Sequence, residues 1–143
     1  MTRVDFYILP ETAKRTRDHV LCSLTGKAWK QGKKVYIHAE SADRATALDN
    51  LLWTFSDTSF LPHGQIDQTD LEKTPVLIGH VDPPTDLHDI MINMTGSVPL
   101  FFARFDRLIE IVDQASADRD QARERYRFYK ERGYTLNTYN LDT

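Results

Sequence analysis

The chain has 143 residues, 41% of them hydrophobic, with a formal net charge of −3. That length suits one domain, residues 1–143, built on one core, and the acidic balance excludes nonspecific nucleic-acid binding by the whole surface. The single cysteine, Cys22, excludes an intramolecular disulfide and a Cys-based zinc site, and fits a reducing cytoplasm.

The opening MTRVDFYILP is too short an apolar run for a signal peptide, and no stretch nears the length of a membrane span. Val4–Leu9 is β-branched and aromatic, ends at Pro10, and predicts a buried first strand. Glu11–Gln31 predicts a helix, with Val20, Leu21, Leu24 and Ala28 at helical spacing and Gly32 as a left-handed stop. Lys34–Ala39 is the second strand. Ser41 is placed to cap the next helix, whose inner stripe is Ala45, Leu48 and Leu52.

That helix gives way after Trp53 to TFSDTSFLPHG, which has neither helical nor strand period. Loops are normally polar, so Trp53, Phe55 and Phe60 need a reason. They form either a satellite cluster tucked under the domain or a docking surface. Ile66–Thr74 is a polar, acidic connection. Val76–His80 is a third strand, VDPPTDLHD a turn, and Ile90–Met94 a central strand covered on both faces. The short gap between these two strands has no room for a helix, so it is a hairpin or a long crossing loop. Leu100–Phe105 predicts a short helix, Leu108–Val112 a fifth strand, and Thr135–Leu141 an extended tail or a short edge strand. Strands alternate with helices, which predicts an α/β fold, three-layer, with a mostly parallel sheet.

Such a sheet invites a nucleotide. The first strand-to-helix turn, LPETAK, has no glycine for close approach of a phosphate. GKAWKQGKK superficially resembles a phosphate loop, but Gly26 and Gly32 are one residue too far apart and the segment runs from helix to strand. The five histidines show no metal-ligand spacing, and no serine or cysteine sits in a nucleophile motif. Cys22, mid-helix, is read as structural. The pattern leans towards binding rather than catalysis.

The most patterned stretch is Asp118–Tyr134, DRDQARERYRFYKERGY. On a helical wheel Ala115, Ala122, Tyr126 and Tyr129 make a narrow apolar stripe, flanked on one side by Arg119, Arg123, Arg127 and Lys130. An ordinary solvated helix face with local ion pairs has the same composition. Gathered beside small and aromatic residues, however, these cations suit a partner with carboxylates and one apolar anchor. A third reading, single-stranded nucleic acid stacking on Tyr126 and Phe128, is opposed by the acidic residues of the helix and by the net charge.

Three stretches, LDNLLWTFSDTSFLPH, DIMINM, and RFDRLIEIVD running into ARERYRFYKERGYTLN, resemble in order and spacing the chi subunit family of bacterial DNA polymerase III holoenzyme. The likeness extends end to end. It implies a Rossmann-like fold without a nucleotide motif, no catalytic activity of its own, no cofactor, and a cytoplasmic place at the replisome. It also implies two partners. The basic and aromatic part of the last helix would receive the acidic, Pro-Phe-terminated tail of single-stranded-DNA-binding protein, through Val112, Arg119, Arg123, Tyr126 and Arg127. The Trp53–His63 block would dock the psi subunit of the clamp loader, or a repair-type helicase, through Trp53, Phe60 and Pro62. Neither sequence-specific nucleic-acid binding nor membrane contact is implied. The alternative is a nucleotide- or small-molecule-binding α/β enzyme.

Overall fold

A computed structural model describes residues 1–11, 13, 15–55, 58, 60–66, 73–83 and 86–141, the Ser116 side chain excepted. Parts of TFSDTSFLPHG, of the acidic connection and of VDPPTDLHD therefore lie outside the described residues. The strands are β1 (Arg3–Ile8), β2 (Val35–His38), β3 (His63–Gln65), β4 (Val76–Gly79), β5 (Ile90–Asn93), β6 (Arg107–Val112) and β7 (Thr135–Asn140). The helices are α1 (Arg17–Lys30), α2 (Ala42–Thr54) and α3 (Ser116–Glu131). A 3-10 turn at Phe102–Arg104 stands where a short helix is predicted.

The strands form one sheet in the order β3-β4-β2-β5-β6-β1-β7, every adjacent pair parallel. β4 and β5 flank β2, so their connection is a crossing loop and not a hairpin. Thr135–Leu141 resolves as the edge strand. His63–Gln65, read from sequence as the end of a loop, is the opposite edge.

Side chains alternate across the sheet, and each face has its own cover. Ile37, Ile78, Ile92 and Ile109 pack under Leu21 of α1 and Leu48 and Leu52 of α2. Val4, Phe6, Met91 and Leu108 pack under Phe102, Phe105, and Ala122 and Tyr129 of α3. This makes three layers. β5 is the middle strand and is buried along its whole length, as its apolar run requires.

The helix ends follow local chemistry. Ser41 caps α2 by accepting the Arg44 N–H at 3.2 Å. α1 starts at Arg17 rather than at Glu11, because the Thr16 hydroxyl accepts the His19 N–H at 3.2 Å from extended backbone and sets the cap there. It stops at Gly32, where φ is +77° and Lys33 N–H reaches back to Ala28 O at 3.0 Å.

Candidate functional site

β6 delivers the chain to α3 at the carboxyl end of the sheet, and α3 returns over β1 to β7. Its inner face differs from the sequence reading in two residues. Ala115 is the exposed N-cap and is not part of the buried stripe. Arg125, absent from the predicted stripe, is buried in it between Ala122 and Tyr129.

Arg125 is tolerated because Glu110 of β6 lies beneath it, fully buried. Glu110 accepts from Arg125 Nε at 3.1 Å, Tyr129 Oη at 2.6 Å and Asn93 Nδ2 at 3.0 Å. Burial pushes the Glu110 carboxyl above its ordinary value, and the Arg125 charge and the three donors pull it back. The Tyr129 hydroxyl is raised strongly, first by burial and then by Glu110. A carboxylate inside the apolar run LIEIV was the sequence signal that a buried donor must exist.

Beside this anchor lies a recess of about 370 Å³. Phe6 and Ile8 of β1 and Val112 of β6 line it from the sheet, Ala122 and Tyr126 from α3, and Thr138 and Asn140 from β7. The Tyr126 ring stands edge-on to Phe6, centroids 5.3 Å apart. Arg119 and Arg123 also line the recess. Among the described residues the Arg119 Nε is buried without a hydrogen-bond partner, and the ion pair of Arg123 is a long 3.9 Å contact to Asp120. Four of the five residues read from sequence thus meet at one hollow. The fifth, Arg127, does not line it. Its guanidinium pairs with Glu124 at 3.2 Å on the exposed face of α3. Phe6 and Ile8 were missed, although their period-2 spacing put them on one face; Thr138 and Asn140 needed the strand order.

The Trp53 block sits at the other edge of the sheet. Leu61, Thr58 and His63 are buried, while Phe60 is 93% exposed, Trp53 half exposed and Pro62 exposed. His63 holds the loop through Leu61 O at 2.7 Å and Asp49 O at 3.2 Å, and its ring lies 3.9 Å from that of Trp53. Burial raises the Asp49 carboxyl, opposed by His63 and by a hydrogen bond from Trp53. The buried residues of the block fix its backbone, while Phe60, and Trp53 at the end of α2, present rings to solvent.

A larger hollow, about 440 Å³, lies at the carboxyl ends of β1 and β6, where open α/β sheets take nucleotides. Glu11 and Asp113 line it, and Arg17 is already engaged by Ile111 O at 3.1 Å and Asp118 at 3.5 Å. Arg15 lines it as well, its Nε buried without a hydrogen-bond partner among the described residues, so two acidic and two basic side chains meet at this hollow.

Residues 1–137 match the family described as DNA polymerase III chi subunit, HolC. The chain belongs to that family. Proteins named DNA polymerase III subunit chi are similar to it in Pseudomonas aeruginosa, at 40% identity over 99% of this chain and 98% of the relative, and in Haemophilus influenzae, at 33% over 95% of each. The Escherichia coli protein of that name is 30% identical over 85% of this chain and 83% of its own length. Among solved structures, T4 UvsW superposes with a TM-score of 0.70 at 6% identity, covering 98% of this chain and 41% of that one. That likeness concerns the fold alone. Chi-family membership makes the chain an accessory subunit of replication. Among the described residues no helix is long and apolar enough to cross a membrane.

Proposed function

We propose that the chain is a non-catalytic, single-domain adaptor at the cytoplasmic replisome. One face binds the acidic C-terminal tail of single-stranded-DNA-binding protein, and the other binds the psi subunit of the clamp loader or a repair-type helicase. The observation that carries the first half is the recess itself: an aromatic hollow flanked by two arginines that, among the described residues, lack a close counter-charge. A terminal Phe ring enters between Tyr126 and Val112. Its carboxylate and the preceding aspartates meet Arg119 and Arg123 in charge-assisted hydrogen bonds, so binding is modest and weakens with salt. Arg127 steers the acidic tail from outside the hollow. Phe60, with Trp53 and Pro62, supplies the second face.

A calorimetric titration tests the reading. An acidic peptide ending in Pro-Phe should bind as the free acid and bind at least about tenfold more weakly when amidated, because amidation removes one charge-assisted contact worth about 1.5–3 kcal/mol. Equal affinity of the two forms rules the recess out as a carboxylate site.

A further inference from the structure

At the amino-terminal end of the sheet, away from both faces, we propose a surface site for one divalent transition-metal ion of the zinc class, formed by His88, Asp89 and Asp106. The proposal does not depend on the adaptor reading. Each residue offers one donor atom, and all three donors lie within 4.8 Å of one another.

The donors stand 18 residues apart at the extremes, so their proximity comes from the β5–β6 pairing. Asp106 N–H donates to His88 O at 2.7 Å and Arg107 N–H to Asp89 O at 3.1 Å, which locks the two segments together. The Lys34 N–H donates to Asp89 Oδ2 at 2.9 Å and orients that carboxylate, leaving Oδ1 directed towards His88. Outer contacts of this kind hold metal ligands in place.

The two separations from His88 are nearer to those of neighbouring metal donors than to those of hydrogen bonds, and the two carboxylate oxygens lie within 4.8 Å of each other. His88 Nδ1 is 3.5 Å from Asp89 Oδ1 and 3.7 Å from Asp106 Oδ2, long for a charge-assisted hydrogen bond. Zinc bonds of about 2.0–2.2 Å at tetrahedral angles set neighbouring donors about 3.3–3.6 Å apart.

The surroundings are mixed in charge, since Arg3, Lys33 and Arg107 line the same hollow as Asp89 and Asp106. Among the described residues no Lys or Arg forms an ion pair with Asp89 or Asp106. The nearby Arg107 is turned away to Asp5 and Tyr7, each at 2.6 Å. Arg3 is likewise turned to Asp5, at 3.3 Å, so among the described residues the two carboxylates face one imidazole and have no direct cationic ion-pair partner. An imidazole with carboxylate oxygens suits zinc, cobalt or nickel, and three protein donors leave an open position for water or for a group on a partner.

The test uses the full chain without an affinity tag, titrated with ZnCl₂ by calorimetry and with CoCl₂ by visible absorption. One ion should bind per chain, with cobalt bands of a low-coordinate site. His88→Ala and Asp106→Asn should each weaken binding at least tenfold, since loss of an outer contact alone costs about 10–100-fold. Both residues are exposed, and an unchanged urea midpoint shows that the fold is kept. No binding by the parent chain overturns the site. Unchanged affinity in both variants also overturns it, because another histidine then holds the ion.

Discussion

Arg125 carries its charge into a position that is 3% exposed, and what it contributes depends on Glu110. Removing one member of a buried ion pair strands the other, at about 3–5 kcal/mol, whereas replacing both by groups of similar volume is often close to neutral. Arg125→Met should therefore lower stability by about that amount in urea unfolding, and adding Glu110→Gln should restore much of it. If the double variant is no better than the single one, the network does more than satisfy charge. His38 makes a different test. Burial is the largest cause lowering its pKa from 6.5, with Glu40 opposing. The unfolded chain then binds the proton first, so the stabilising contribution of neutral His38 is whole above pH 6.5 and is lost as pH falls towards the lower, folded value. His38→Gln should flatten that part of the stability–pH curve. An unchanged slope would assign it to other groups.

α3 is the element in which patterning and packing part company. The wheel put Arg119, Arg123 and Arg127 on one flank, but the hollow is bounded by β7, and only the first two line it. In peptide titrations Arg123→Ala should cost about 1–3 kcal/mol, the scale of a charge-assisted contact. Arg127→Ala, which loses an exposed pair with Glu124, should cost no more than about 0.5 kcal/mol. Similar losses for both would mean that the ligand lies along the outside of the helix. The reason for the partial success is physical. Ala122, Tyr126 and Tyr129 announce a buried stripe by their spacing, and the β-branched runs announce strands, because periodicity is local. Arg125 was hidden because its partner Glu110 lies 15 positions away on another element. The start of α1 moved because one threonine hydroxyl outweighed helical spacing. β3 was hidden because HGQ is too short for alternation to register, and its pairing with β4 makes it a strand.

The two proposed faces stand at opposite edges of one sheet, His63 in the strand at one end of the order and Thr138 in the strand at the other. Seven strands leave six spacings between those edges, roughly 28 Å at about 4.7 Å each. That is beyond the distance at which substitutions normally couple. Of the five strands between them, β2, β4, β5 and β6 are buried almost throughout and β1 at its centre, which leaves little room for one edge to deform in response to the other. An adaptor built this way should hold its partners independently. Phe60→Ala removes a ring that is 93% exposed, so folding stability should change by no more than about 0.5 kcal/mol. Co-purification with psi should be lost, and peptide binding at the recess should be kept. Arg123→Ala should do the reverse. In the double variant the two binding losses should add to within about 0.5 kcal/mol. A larger departure from additivity would mean that the intervening sheet transmits binding at one edge to the other, and that the molecule is a switch rather than a passive link.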